Sequence, residues 1–168
     1  GLTAANTTGT SGILFYMLSY AFMNIGAFAV IILVGKQGEP NGTVMDFAGL
    51  GQKKPLLAAA MALFLFSLAG MPPTAGFIGK FYLFSGAVQE GYVWLAIIGV
   101  LNSAASVYYY LRVTVYMYFR PGEEQFDWIT VSAPIALALT ISAAGSLIPG
   151  IIPSVILDFA QQAVRILG

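Results

Sequence analysis

The sequence contains no cysteine and no histidine in its 168 residues. Disulfides are therefore excluded, and iron–sulfur clusters, histidine-ligated haem and the usual zinc sites lack their ligands. No metal site is expected, and any electron transfer served by this chain takes place on another one. Charge is also scarce, at 8% of residues against about 25% in an ordinary soluble domain. Seven basic and seven acidic residues cancel to a net charge of zero, which leaves no basic patch to hold a nucleic-acid backbone. Nucleic acid is excluded as a partner. What the chain does contain is apolar: 58% of residues are hydrophobic and the mean hydropathy is +0.83. A water-soluble globule is excluded, and the expected surroundings are the lipid bilayer.

The charges cluster, and long stretches carry none: 1–35, 55–79, 81–89, 91–111 and 128–157. A membrane-spanning helix needs about 20 apolar residues. Ser11 to Val34 meets that length, and it is too long, with no basic lead-in, for a cleavable signal peptide. Trp94 to Tyr118 and Trp128 to Pro149 are two further spans, each opening on a tryptophan suited to the headgroup interface.

The stretch 55–89 is different, because one continuous helix of that length would run about 50 Å through hydrocarbon about 30 Å thick. Its middle reads Ala69-Gly70-Met71-Pro72-Pro73-Thr74-Ala75-Gly76. Adjacent prolines remove two backbone donors and the glycines loosen the chain, so a helix must stop there. Gly70, Pro72, Pro73 and Gly76 mark the expected break, over 70–76. The two halves form either one discontinuous span or two separate short passes, and loop charge separates these readings. With one discontinuous span, Lys36, Lys53, Lys54, Arg112 and Arg120 share a side, leaving Arg165 opposite. That side is then cytoplasmic. The expected architecture is all-α and membrane-embedded: a single domain with four transmembrane helices, the second discontinuous.

The connecting pieces are short: a Gly-rich polar loop at 37–52 and an acidic turn at 121–127. The tail at 152–167 spaces Ile156, Phe159, Ala160, Ala163, Val164 and Leu167 as one helix face, which predicts an amphipathic helix lying at the outer membrane surface. The N-x-T triplets at Asn6 and Asn41 read as chance.

Lys80 is the one ionisable residue inside an otherwise apolar run, Phe77-Ile78-Gly79-Lys80-Phe81-Tyr82-Leu83-Phe84. A lysine at mid-bilayer costs at least about 2.5 to 3.5 kcal/mol on insertion scales, so it faces a polar interior and marks an ion or proton path. The alternative is snorkelling to an interface. Gln89 and Glu90 lie about nine residues on, roughly 14 Å of helix, which is far for a side chain to climb. A lysine taken out of water can both hold and release a proton, which would make Lys80 a relay. Unwound backbone at membrane depth survives only where protein or water satisfies it, so the break predicts a hydrated pocket beside Lys80.

Two polar stripes accompany it. On the third span Gly99, Asn102, Ser103, Ser106 and Tyr110 recur at helical spacing; on the first, Tyr16, Tyr20 and Asn24 do. Each stripe, and Thr74 in the break, serves either close helix packing or a water path. Arg112, near the cytoplasmic end, reads as an anchor or ion-pair partner.

The run Ser67-Leu68-Ala69-Gly70-Met71-Pro72-Pro73-Thr74-Ala75-Gly76-Phe77-Ile78-Gly79-Lys80 closely resembles the broken twelfth helix of the subunit N family of respiratory complex I. Tyr20-Ala21-Phe22-Met23-Asn24-Ile25-Gly26-Ala27-Phe28 and Tyr108-Tyr109-Tyr110-Leu111-Arg112 resemble the same family, in the same order. The family has fourteen spans in two inverted repeats, and the resemblance implies that this chain is a C-terminal fragment holding the last four. It also implies that Lys80 is the lysine of the second half-channel, through which a proton reaches the outer side. The acidic residue and lysines of the family's earlier repeat are absent, so an intact proton path is not expected from this chain alone. Among sister subunits that share the fold, one typically has an acid at the position of Lys80, and another follows its lysine with an acid. Here Phe81 and Tyr82 follow, as in subunit N.

The resemblance implies a proton-translocating subunit of an NADH:quinone oxidoreductase in the bacterial inner membrane, a part of an enzyme with no redox centre of its own. NADH, flavin, iron–sulfur clusters and quinone would be handled on partner subunits, and the other complex I membrane subunits would be its partners. The alternative is a subunit of a multi-subunit cation/proton antiporter. A membrane scaffold without transport is a third reading, which Lys80 opposes.

Overall fold

The computed structural model describes residues 6–35, 43–122, 126–127 and 129–167. Lys36, Asn41 and Trp128 lie outside the described residues, as does the side chain of Arg165. The described residues are all helical or irregular, with no strand. The helices are α1 (Thr7–Val34), a short 3-10 turn (Val44–Phe47), α2 (Leu50–Lys53), α3 (Pro55–Ala69), α4 (Ala75–Gln89), α5 (Val93–Phe119), α6 (Ala133–Ile151) and α7 (Ser154–Leu167). Three of them, α1, α5 and α6, are long and apolar enough to cross a membrane. The chain is a multi-pass integral membrane protein.

Asn6, the first of the two N-x-T asparagines, is a structural cap. Its side-chain oxygen accepts from Gly9 N at 2.7 Å, and its amide donates to the Gly86 carbonyl and Glu90 Oε1, both at 3.1 Å. One residue thereby starts α1 and ties it to the end of α4.

Neither α3 nor α4, at 15 residues each, can cross the hydrocarbon alone, since 15 residues make only about 22 Å. Their packing shows what they do together. From the end of α1 back to its start, Gly26 meets Phe64 of α3, Met23 meets Gly76, Tyr16 meets Gly79, Gly12 meets Tyr82, and Gly9 meets Gly86. The pair thus lies antiparallel along the whole of α1, one half after the other. At one end Gly49 approaches Gly122, and Gly51 packs on Tyr118 and Met117, so Lys53, Lys54 and Arg120 share that end. These 168 residues hold no native cysteine, so a cysteine placed among them gives a single labelling site once any cysteine elsewhere in the full-length chain is replaced. Lys54→Cys and Arg120→Cys should react with an impermeant thiol reagent from the same face of sealed vesicles, and Glu90→Cys from the other. Labelling of the first two from opposite faces would contradict this topology.

The break is shorter than its sequence pattern. It covers 70–74, because α4 begins at Ala75 after Thr74, and Gly76 belongs to the first turn of α4 instead of the break. Gly76 is needed there for space: a Cβ on it would overlap the backbone carbonyl of Ser67. The helix of the fourth expected span, α6, also differs from expectation, starting at Ala133 instead of Trp128. A start five residues earlier would put Pro134 in a helix interior, where it removes a hydrogen bond; its place is the first turn. The helix runs past Pro149 to Ile151 and stops where Pro153 keeps Ile152 out of the helical region, at φ −125° and ψ 75°.

Between the long helices the core is apolar. Leu50, Leu57, Met61, Phe64, Met117 and Phe126 pack against Val30 and Val34 near the loop end. A smaller cluster of Phe15, Ala75 and Leu157 joins α1, α4 and α7. The buried edge of α7 is therefore Leu157 and Ala160, while Phe159, on the expected apolar face, is exposed. Gly150 of α6 lies against the backbone of Pro73 and Thr74, so α6 buttresses the break.

A lysine on the broken helix

Gly70 is the residue around which the site is built. At φ 82° and ψ 42° it closes α3 in the left-handed conformation that glycine adopts without penalty. Gly70 N donates to Ser67 O and Met71 N to Phe66 O, each at 3.0 Å, which is the Schellman arrangement and satisfies two of the last carbonyls of α3. The carbonyls of Leu68 and Ala69 remain. Lys80 Nζ donates to both, at 2.9 and 3.1 Å.

Lys80 is half-buried, and its stem crosses directly over Gly70. A Cβ on Gly70 would come within 3.0 Å of Lys80 Cδ and 3.3 Å of Nζ. Gly70 thus serves twice, by its conformation and by the room it leaves. Electrostatically, the ammonium sits at the negative end of the α3 dipole, with acceptors that lipid would deny it. The facing start of α4 is held by Ser67, whose Oγ accepts from Gly76 N at 3.3 Å, and Thr74 is buried with its hydroxyl donating to Met71 O at 2.6 Å.

Beside Lys80 a cleft of about 790 Å³ opens between α4 and α5, walled chiefly by Phe77, Phe81, Phe84, Val93 and Ile97. Its polar groups are few: Lys80, Ser85, Gln89 and Ser103. Where the sequence predicts a hydrated pocket, the cleft beside the lysine has mainly apolar walls.

Of the expected polar residues, Tyr16, Tyr20 and Tyr110 are brought together. Tyr16 and Tyr20 stack at 5.8 Å, and the Tyr110 phenol lies near both. Tyr16 also lies against Gly79, 2.9 Å from where a Cβ would stand, so this tyrosine group adjoins the residue before Lys80. The other members turn to their own helices. Asn24 donates to Tyr20 O at 2.7 Å and Ser106 to Ser103 O at 2.7 Å, while Asn102 is exposed and outside the cleft. Pro72 and Pro73 are exposed and act through the backbone. Sequence reading missed the two carbonyls that hold Lys80. The signal for them is indirect: a helix-ending glycine leaves two carbonyls open, and a lysine follows one turn and a half into the next helix. Among the described residues no cluster of acidic side chains could hold a metal ion.

A family described as NADH:quinone oxidoreductase/Mrp antiporter, transmembrane, matches residues 1–106. NADH-quinone oxidoreductase subunit N of Trichlorobacter lovleyi is 81% identical, over 99% of this chain and 34% of that protein. F(420)H(2) dehydrogenase subunit N of Methanosarcina mazei is 42% identical, over 94% of this chain and 34% of that protein. Among solved structures, a chain of respiratory complex I from Thermus thermophilus with bound aureothin superposes with a TM-score of 0.76 at 31% identity, covering 89% of this chain and 34% of the other. The chain therefore spans about a third of the length of the curated relatives it matches (34%). On a family match that takes in well over half of its residues, the chain belongs to the NADH:quinone oxidoreductase/Mrp antiporter transmembrane family.

Proposed function

We propose that this chain is part of the proton-translocating membrane subunit of an NADH:quinone oxidoreductase in the bacterial inner membrane, coupling quinone reduction to proton pumping, with Lys80 as the proton relay. The observation that carries the proposal is the place of Lys80: an amine on a broken helix, held by the Leu68 and Ala69 carbonyls. A lysine packed only for stability would not need an interrupted span. The tyrosine group of Tyr16, Tyr20 and Tyr110 offers hydroxyls next to the lysine's helix. The chain contributes proton handling to the enzyme, and NADH, flavin, iron–sulfur clusters and quinone belong to partner chains. Its other partners are the remaining membrane subunits of complex I.

The test uses the tagged full-length chain in its native membrane. It should co-purify with flavin and iron–sulfur absorbance, and vesicles should take up protons when NADH is oxidised. Sodium- or potassium-driven proton exchange without any redox substrate, and no flavin in the purified material, would replace this reading with the cation/proton antiporter.

A further inference from the structure

α5 is longer than the membrane it crosses. Its 27 residues make about 40 Å against about 30 Å of hydrocarbon. Trp94, 78% exposed, suits the interface at its start, so the excess falls on the last two turns, beginning near Arg112. There Arg112 and Tyr116 share a face of α5, and Arg120 follows just past its end, with extended backbone at φ −103° and ψ 132°. Both guanidinium carbons stand over the Tyr116 ring, 5.9 and 5.7 Å from its centroid, so one ring positions two cations. Neither arginine pairs with a carboxylate among the described residues.

Next to Arg120 lies a cleft of about 590 Å³, between the 3-10 turn and the end of α5, lined by Met45, Asp46, Ala48, Tyr116 and Pro121 as well, while Arg112 lines a neighbouring cleft with Asp46 and Phe47. Asp46 is the acid that faces it, and both its oxygens accept from Thr43, at 3.0 Å from N and 2.9 Å from Oγ1. Glu123 and Glu124 follow Arg120 in the sequence, outside the described residues. Lys53 and Lys54 stand at the same end. Beside the guanidiniums the surface turns apolar, with Phe119 78% and Met45 68% exposed. Cations at headgroup depth beside an apolar wall match one kind of molecule.

We propose that Arg112 and Arg120 hold the headgroup of an anionic phospholipid, its phosphate oxygens accepting from both guanidiniums while an acyl chain lies along Phe119. Guanidinium and phosphate pair through parallel hydrogen bonds, which an ammonium cannot match, and basic groups at this depth favour anionic over zwitterionic lipid.

The experiment is native mass spectrometry of the full-length chain, purified in detergent and titrated with diphosphatidylglycerol, phosphatidylglycerol or phosphatidylcholine. Wild type should retain the two anionic lipids in preference to phosphatidylcholine. Arg112→Gln and Arg120→Gln should each weaken anionic-lipid binding about fivefold, with phosphatidylcholine binding unchanged, and Arg120→Lys should recover only part of the loss. An unchanged anionic preference in the double glutamine variant would overturn the proposal, as would equal retention of all three lipids by wild type. Should the double variant purify poorly, Tyr116→Leu gives a second arm. Removing the ring that positions both cations should lower anionic selectivity, and full selectivity without it would also count against the site.

Discussion

Lys80→Arg in the full-length chain should assemble at wild-type level and fail to pump. A relay must surrender its proton in each cycle, and a guanidinium, far more basic than an amine, does not. The arginine can still donate to the carbonyls of Leu68 and Ala69, so the end of α3 stays capped and assembly survives. Lys80→Ala should fail to pump as well, and it should also lose stability, because those two carbonyls would then face the apolar cleft unpaired. The measurement is substrate-driven proton uptake by vesicles at equal amounts of assembled complex, with uptake in both variants expected well below wild type. If Lys80 acted only as a cap for α3, arginine would pump normally and alanine would merely be unstable. The arginine variant therefore separates the two roles that the geometry combines in one amine.

The second large effect is expected at Gly76, with stability as the readout. A methyl group there would overlap the Ser67 carbonyl, and it would also crowd Met23 Sδ of α1 at 3.3 Å. Overfilling a packed core with side-chain atoms costs about 1 to 3 kcal/mol. Here the obstacle is backbone, which cannot rotate aside, so Gly76→Ala should reach or exceed the upper figure. The last turn of α3 and the first of α4 must separate, carrying the Leu68 and Ala69 carbonyls away from Lys80. Gly91→Ala is the control. Gly91 has φ 81° and nothing within 4 Å of its notional Cβ, so it should cost only the left-handed strain of about 1 to 2 kcal/mol. Thermal unfolding of the detergent-solubilised chain compares the two. A Gly76→Ala variant no less stable than Gly91→Ala would mean that α3 and α4 do not approach as closely as described.

Membrane residence, the helical class and the interrupted second span were legible from sequence because each depends on local chemistry. Long uncharged runs need lipid, paired prolines end helices, and a lone lysine in an oily segment needs company. Lys80 stood out for that last reason. Element ends were less legible: Pro134 moved the start of α6 by five residues, and Gly76 had the composition of a break residue yet lies within a helix. Glycine in a sequence reads equally as flexibility or as space, and only the carbonyl of Ser67 beside it decides between them.

Tertiary structure alone decided what Lys80 holds. Its partners are backbone oxygens, which carry no sequence signal, and they are open only because Gly70 closes two of the last four carbonyls of α3 and leaves the others. It also selected among the polar stripes, which share a helical period but differ in what packs against them. Tyr16, Tyr20 and Tyr110 meet because α1 and α5 both lie against the broken helix, whereas Asn24 and Ser106 bond within their own helices. Periodicity places residues on a face; the neighbour that the fold brings to that face determines whether they touch one another, lipid or themselves.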